Sequence, residues 1–232
     1  MQIVERLSPN HDARTGVVDM LILHYTGMID QASALARLTD PTAKVSAHYL
    51  IGEDGTVFRL VPEERRAWHA GVSYWRGRND INSASIGIEL VNPGHEFGYR
   101  DFPAAQMEAL AALANDIRRR HRIADRCVLA HSDVAIGRKQ DPGERFDWQW
   151  LARQGVGLWP DFAGAPKPAG EIAPLQRDLA KFGYDCPQNG VLDPATRAAV
   201  RAFQLHFRPQ HCDGTPDDET RRRAATLAAM VV

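Results

Sequence analysis

The chain has 232 residues, of which 44% are hydrophobic and 25% are charged, so it has enough apolar side chains for a full core and a small second domain. Its 28 Lys and Arg residues nearly balance its 29 Asp and Glu residues, and the net charge of -1 excludes the overall positive field of a nucleic-acid-binding protein. No apolar run is long enough to span a membrane. Residues 1–6 lack the basic start and apolar stretch of a secretory signal, which predicts a cytoplasmic protein.

The cysteines are too few and too scattered for a disulfide framework, and we expect reduced thiols at Cys127, Cys186 and Cys212. A bridge between Cys186 and Cys212 stays open as an alternative, because both flank the same predicted helix. Cys127 lies in a predicted apolar strand, where a thiol stays protonated, so we do not expect it to act as a nucleophile.

The first part of the chain begins with a central strand. Residues 17–23 form a continuous apolar run, which is typical of a strand covered on both faces, and His24 stands at its end. The next segments predict a short helix at 31–38 and a hairpin with an Asp-Gly turn, whose strands are 45–51 and 57–60.

A second strand is predicted by strict alternation at residues 85–90. Period two places Ile86, Ile88 and Leu90 on one face and Gly87 and Glu89 on the other, so Glu89 points away from the apolar side.

Residues 103–120 have the apolar spacing and the basic end of a helix, and residues 126–130 predict another strand that leads into His131. Alternating strands and helices predict an α/β domain with a mixed central sheet flanked by helices.

Residues 163–171 are rich in Pro, Gly and Ala and predict a linker between a domain at 1–162 and a domain at 172–232. The second domain reads as three helices, with Gly183 as a C-cap and Asp193-Pro194 as a helix start. Such a junction predicts that few contacts cross it.

Four polar fragments follow apolar runs of the first domain: His24-Tyr25-Thr26, Glu89, His131-Ser132-Asp133 and residues 139–143. Two imidazoles and one carboxylate from such fragments suit a catalytic zinc ion, which uses three protein ligands and keeps a fourth position for water. The pattern predicts metal-assisted hydrolysis.

Five ordered fragments carry a resemblance to a known family: His24-Tyr25-Thr26, Ser46-Ala47-His48-Tyr49, Trp68-His69-Ala70-Gly71, residues 85–89 and residues 130–133, closed by residues 139–143. The first domain resembles the N-acetylmuramoyl-L-alanine amidases of the type 2 amidase family, in particular their AmiD and AmpD branch. The tail, with Gly183-Tyr184 and Ala202-Phe203-Gln204 among its matching residues, resembles a three-helix peptidoglycan-binding domain.

The resemblance implies a fold shared with peptidoglycan recognition proteins and a Zn²⁺ ion held by His24, His131 and Asp141. It implies peptidoglycan or muropeptide fragments as partners. The reaction it implies is hydrolysis of the amide bond between N-acetylmuramic acid, or its anhydro form, and L-alanine.

Within that chemistry, Glu89 is the residue expected to act as the general base, and its alternative role is a surface carboxylate of the strand. Lys139 lies two residues before Asp141, so in an extended segment both side chains project the same way. We expect Lys139 to stabilise the oxyanion, and the alternative is a solvated lysine of a loop.

Trp68, His69 and Ala70 resemble a substrate-cleft motif of the family, although a role in the core is an equal alternative for His69. His48 is expected to pack or donate a hydrogen bond rather than to bind the metal. The histidines outside any motif are expected at the surface: His11, His95, His121, His206 and His211.

Two alternatives to the amidase stay open at this point. A non-catalytic peptidoglycan recognition module is disfavoured by the complete His24, His131 and Asp141 set. A zinc hydrolase of a different amide is disfavoured by the wall-binding pattern of the tail. That tail also makes a periplasmic or envelope location the alternative to the cytoplasm.

Overall fold

The computed structural model describes residues 2–163 and 170–231. Its main feature is a six-stranded mixed sheet in the first part of the chain. In spatial order the strands are β1 (Ile3–Glu5), β5 (Val57–Arg59), β4 (Tyr49–Ile51), β7 (Ser85–Leu90), β3 (Met20–Tyr25) and β8 (Val128–Ala130). The β4 and β5 strands pair antiparallel, as expected of the predicted hairpin, and the other neighbours in this sheet pair parallel. A separate antiparallel ribbon joins β2 (His11–Ala13) and β6 (Arg65–Ala67).

Helices flank the sheet, which confirms the predicted fold class. They are α1 (Gln31–Thr39), α2 (Ile81–Ala84), α3 (Gly94–Phe97), α4 (Ala104–His121), α5 (His131–Val134), α6 (Trp148–Arg153), α7 (Ile172–Phe182), α8 (Pro194–Phe207) and α9 (Asp218–Ala229). The predicted caps are present: α7 ends at Gly183, and the Asp193 carboxylate accepts a hydrogen bond from the Thr196 amide at the start of α8.

One strand begins later than predicted. Residues Asp125–Cys127 form a single 3₁₀ turn, closed by a hydrogen bond from the Cys127 amide to the Ala124 carbonyl, and β8 starts only at Val128. Cys127 therefore lies outside the strand, although burial still raises the pKa of its thiol. All three cysteines are free, so the Cys186–Cys212 bridge is not formed.

Helix α4 covers one face of the sheet. The alternate residues predicted for the apolar side of β7 pack there, and β3 contributes Leu21 and Leu23 to the same buried cluster. From α4 the cluster receives Leu110, Leu113 and Ile117 at helical spacing. This local arrangement follows the periodicity of the sequence.

The C-terminal helices cover part of the opposite face. Met20, Ile22 and Leu129 point to that side and belong to one buried cluster with Trp75 and with residues of the C-terminal unit: Leu175, Phe182, Tyr184 and Phe203. The prediction that few contacts cross the junction is wrong, because apolar side chains at the start of β3 and β8 need cover and the tail provides it. The linker bounds at 163–171 stay a prediction, since residues 164–169 lie outside the described part of the chain.

Among the described residues, no helix is both long and apolar enough to cross a bilayer. The cytoplasmic location stays a prediction, as does its periplasmic or envelope alternative.

Candidate active site

The pairing register of three parallel strands brings the polar fragments to one edge of the sheet. His24 of β3 lies directly opposite Glu89 of β7, and Leu23 lies opposite Ala130 of β8, so His131 follows at the same level. Parallel strands end at a common edge, which is why fragments more than 40 residues apart in sequence meet.

Three buried side chains form a compact cluster at this edge. The Nδ1 atoms of His24 and His131 lie 2.9 Å apart, and Asp141 Oδ2 lies 3.1 Å from the first and 3.0 Å from the second. The structure thus brings together the three residues predicted to bind the metal, and their ligand atoms all lie within 4.8 Å of one another. This group can hold a metal ion.

A hydrogen bond holds the backbone of Asp141 in place. Its carbonyl accepts a 3.0 Å hydrogen bond from the Ser132 amide, which ties it to the residue after His131. Burial would raise the pKa of its carboxyl, but the neighbouring imidazoles, His131 first and then His24, outweigh burial and hold the pKa below its usual range. Asp141 is therefore a carboxylate.

The proton positions of the two imidazoles follow from their other contacts. His131 Nε2 lies 3.1 Å from the Ala70 carbonyl, which can only accept, so this nitrogen carries the hydrogen and Nδ1 keeps its lone pair. Such an outer contact is typical of metal-binding histidines.

A relay of hydrogen bonds orients His24 in the same way. The Ser85 hydroxyl donates to the Ile81 carbonyl over 2.6 Å, so its oxygen accepts from His69 Nε2 at 3.2 Å. His69 Nδ1 then accepts from His24 Nε2 at 3.0 Å, because burial, followed by the neighbouring His24, keeps the pKa of His69 well below its usual value and its ring neutral. Burial, followed by His131, lowers the pKa of His24 itself to about 4.

The donor set therefore suits a cation. Two imidazole lone pairs and one carboxylate oxygen converge with no hydrogen between them. These electron-rich atoms repel one another unless a positive charge lies between them. Nitrogen and oxygen ligands of this kind, with an open side towards a cavity, match catalytic zinc sites.

Glu89 lies beside the cluster. Its Oε2 atom is buried and has no hydrogen-bond partner among the described residues, which is unusual for a carboxylate and indicates a partner that arrives from the cavity. Burial and then the negative charge of Asp141 raise its pKa well above the usual value. That direction is the one required of a general base that works near neutral pH.

The cluster opens into a cavity of about 660 Å³. Glu89, His131 and Asp141 line it, and so does the exposed Lys139. Further cations that sequence reasoning missed lie on the wall: Arg37, Arg138 and Arg201. Arg201 comes from α8 and donates a 3.3 Å hydrogen bond to Gln140 Oε1, so the C-terminal unit reaches the rim of the cavity.

The three residues predicted to bind substrate are in different surroundings. His69 lines the cavity and also orients His24. Ala70 is buried, and its carbonyl accepts from His131 and Arg138. The Trp68 indole donates to Asp12 Oδ2 over 2.7 Å, and Trp68 is not among the described residues that line the cavity. A substrate role stays a prediction for all three.

Two other histidines, His48 and His206, are both buried, and only the first was predicted correctly. His48 is buried outside the cluster: Gly87 donates to its Nδ1 over 2.9 Å, and Nε2 lies 3.1 Å from the Arg65 carbonyl, in keeping with the predicted supporting role. His206 was expected at the surface, and this is wrong, since only 1% of it is exposed. Its position inside α8 gave no local sign of burial.

Comparison with known proteins agrees with this geometry. The family model described as N-acetylmuramoyl-L-alanine amidase matches residues 14–144, and a model of a peptidoglycan binding domain matches residues 169–223. N-acetylmuramoyl-L-alanine amidase AmiD of Escherichia coli K12 is 41% identical over an alignment that covers 90% of this chain and 82% of that protein. The 1,6-anhydro-N-acetylmuramyl-L-alanine amidase AmpD of Citrobacter freundii is 40% identical over 53% of this chain and 64% of its own length.

Solved structures are similar over nearly the whole chain. Escherichia coli AmiD in complex with anhydro-N-acetylmuramic acid-L-Ala-D-gamma-Glu-L-Lys has a TM-score of 0.82 and 40% identity, covering 94% of this chain and 92% of that one. AmpDh3 of Pseudomonas aeruginosa has a TM-score of 0.81 and 38% identity, covering 91% of each chain. The chain belongs to the N-acetylmuramoyl-L-alanine amidase family, which confirms the predicted enzyme class and the predicted resemblance of its tail.

Proposed function

We propose that the protein binds one Zn²⁺ ion through His24 Nδ1, His131 Nδ1 and Asp141 Oδ2. With it, the protein hydrolyses the amide bond between N-acetylmuramic acid, or its anhydro form, and L-alanine. The observation that carries this proposal is the convergence of two imidazole nitrogens and one carboxylate oxygen beside a cavity, in a chain of this amidase family.

When bound, zinc would act as a Lewis acid that lowers the pKa of a water molecule in the site towards about 7 and polarises an amide carbonyl. Glu89 takes the proton of the attacking water and later delivers it to the leaving amine of L-alanine. The unpaired Oε2 atom and the raised pKa of Glu89 support this assignment. The alternative, a solvated surface carboxylate, does not fit a buried oxygen.

Lys139 stabilises the negative oxygen that forms at the attacked carbonyl. Lys139 is exposed and lines the cavity together with Gln140 and Asp141. Once bound substrate excludes water from the cavity, loss of one such stabilising contact costs about 2.7–4 kcal/mol of transition-state stabilisation.

The cavity accepts a substrate with sugar and peptide parts. Its volume is about 660 Å³, and its wall combines aromatic and cationic side chains, among them Tyr25, Arg37 and Arg138. The relative named above was solved with an anhydromuramyl tripeptide, which has carboxylates for such cations to bind. The C-terminal unit adds affinity for the polymeric wall, since a second binding site raises the effective concentration at the first.

The metal assignment is tested by the metal content of purified variants. Wild type should carry about one zinc per chain, and His24→Ala, His131→Ala and Asp141→Ala should each lose it, because three ligands are the minimum of a catalytic site. His121→Ala is the matched control: this histidine contacts Glu63 instead of the cluster, so its zinc content should equal that of wild type. Retention of zinc by all three ligand variants would refute the assignment.

The same preparations test the base. Glu89→Gln should keep its zinc and lose roughly 10² to 10⁴ in kcat on an anhydromuramyl tripeptide. Glu53→Gln, a surface carboxylate paired with Arg100, should keep both zinc and rate. A zinc-loaded wild type that binds the tripeptide without cleaving it would establish the recognition module instead.

A further inference from the structure

A second carboxylate, Asp133, lies two residues after His131 and is fully buried. Its Oδ2 accepts a 2.8 Å hydrogen bond from the Ala130 amide and a 2.6 Å hydrogen bond from His206 Nδ1. Its Oδ1 accepts from the Tyr184 hydroxyl at 2.6 Å. A carboxylate with no exposure needs such partners, because an unpaired charge in this position strongly destabilises a protein.

Two of these three partners come from the C-terminal unit, and packing holds both in place. The His206 ring stacks between Trp148 and Phe207, with ring centroids 3.7 Å and 3.9 Å away. The Tyr184 ring packs against Trp75 at 5.1 Å. Packing therefore restricts the movement of both side chains that donate to the Asp133 carboxylate.

The Asp133 carboxylate controls the backbone around His131. Its bond to the Ala130 amide closes a turn that has His131 inside it, at the point where β8 passes into α5. The next residue, Ser132, binds the Asp141 carbonyl through its amide. A displacement of Asp133 thus moves one ligand directly and a second one through Ser132.

We propose that Asp133, Tyr184 and His206 are positioning residues for the metal: the C-terminal unit sets the orientation of His131 and thereby raises metal affinity. The inference rests on the proposed metal site and assigns the tail a role beyond binding the wall. It also explains why α5 and α8 pack together directly behind the cluster.

The test compares two tyrosine variants in the full chain. Tyr184→Phe removes the hydroxyl that binds Asp133, and Tyr49→Phe removes a hydroxyl that donates to Glu63 Oε1 over 2.7 Å, away from the cluster. Both tyrosines are buried, so each variant loses one hydrogen bond from a buried tyrosine to a carboxylate. Zn²⁺ affinity is measured by competition with a chromogenic chelator, the ligand geometry by the visible spectrum of bound Co²⁺, and stability by the Tm of metal-free protein.

Tyr184→Phe should weaken Zn²⁺ binding about tenfold, at the low end of the 10 to 100-fold range for residues that support ligands, and change the Co²⁺ spectrum. Tyr49→Phe should lower Tm similarly with unchanged Zn²⁺ affinity and Co²⁺ spectrum. Equal Zn²⁺ affinity in Tyr184→Phe and wild type overturns the inference while leaving the metal site intact. A wild type that binds no zinc overturns the inference and the proposed function together.

A pair of variants at His206 covers the case in which Tyr184→Phe does not fold. His206→Leu removes the donor, and His206→Asn restores an N–H close to the position of Nδ1. Recovery of Zn²⁺ affinity in His206→Asn relative to His206→Leu supports positioning through Asp133. Equal affinity in both, at the wild-type level, contradicts it.

Discussion

The two faces of the central sheet are covered in different ways. On one face, α4 packs against β3 and β7, and the side chains that meet there are apolar. On the other face, the starts of β3 and β8 are apolar and lie under the C-terminal helices, whereas the ends of β3 and β7 carry His24 and Glu89, and Glu89 lines the cavity. The cleft is the part of this second face that the tail leaves open.

This difference has an energetic consequence. The C-terminal helices bury side chains of the sheet that would otherwise contact water, so the two parts of the chain share apolar burial. We therefore expect them to unfold as one cooperative unit.

The largest effect is expected from core truncations on the two faces. Phe203→Ala on the tail side and Leu110→Ala on the α4 side each remove a fully buried side chain and should cost roughly 2–5 kcal/mol. The five tryptophans all precede residue 163, and two of them, Trp75 and Trp148, contact rings of the tail, so tryptophan fluorescence during urea unfolding reports the first part of the chain together with its packing against the tail. In both variants the fluorescence midpoint should fall together with the far-UV circular dichroism midpoint. An unshifted fluorescence midpoint in Phe203→Ala would mean that the faces are independent.

A smaller effect is expected on the open part of the second face. A Cβ atom at Gly87 would lie 2.5 Å from the His69 ring, so Gly87→Ala must displace the ring that orients His24. Overpacking of this kind costs about 1–3 kcal/mol. Gly16→Ala is the control, since its Cβ would have ordinary contacts from 3.5 Å outward.

Thermal unfolding and zinc content measure this effect. Gly87→Ala should lower both Tm and zinc occupancy, and Gly16→Ala neither. If the two variants behave alike, the close approach of His69 to β7 is not needed for the site.

The smallest expected effect concerns pH and the buried His48. Burial, followed by the Arg14 charge, lowers its pKa from 6.5 to about 3. Below pH 6.5 the unfolded chain therefore binds a proton at His48 that the folded chain does not bind. The contribution of neutral His48 to the free energy of unfolding is complete above pH 6.5 and declines as the pH falls towards 3. One pH unit corresponds to about 1.4 kcal/mol.

His48→Gln keeps an acceptor for Gly87 and a donor for Arg65 without a titrating group. Its free energy of unfolding should fall less than that of wild type between about pH 6.5 and 5.5, by about 1 kcal/mol, because the unfolded His48 is half protonated at the upper pH. Urea titrations at both pH values measure the difference. An equal fall in the free energy of unfolding of wild type and His48→Gln would show that His48 does not control acid stability.

The sequence predicted the elements whose signals are local. The bounds of β7 agree with the alternation of residues 85–90, and α8 begins at its Asp-Pro cap. The hairpin strands are shorter than predicted, because the Ser46 amide binds the Trp68 carbonyl instead of the partner strand, although the His48 carbonyl still accepts from the Leu60 amide.

The site was predictable only in part. His24, Glu89 and His131 follow from strand ends, but no local signal distinguishes Asp141 from Asp133 as the carboxylate of the cluster, and the family resemblance was needed. The structure separates them: Asp141 faces the imidazoles, and Asp133 faces the tail. Packing between residues as distant as Met20 and Phe203 leaves no trace in periodicity, so the burial of His206 and the shared core were missed.

The register between β3 and β7 also limits how the chain length can vary. His24 and Glu89 are direct partners in parallel strands, so both side chains leave the sheet on the same side. One residue inserted between Ser85 and Glu89 would turn the carboxylate over to the side of Leu110 and replace it with an apolar neighbour. Substitutions in these two strands can preserve the reaction, whereas insertions and deletions must fall outside them.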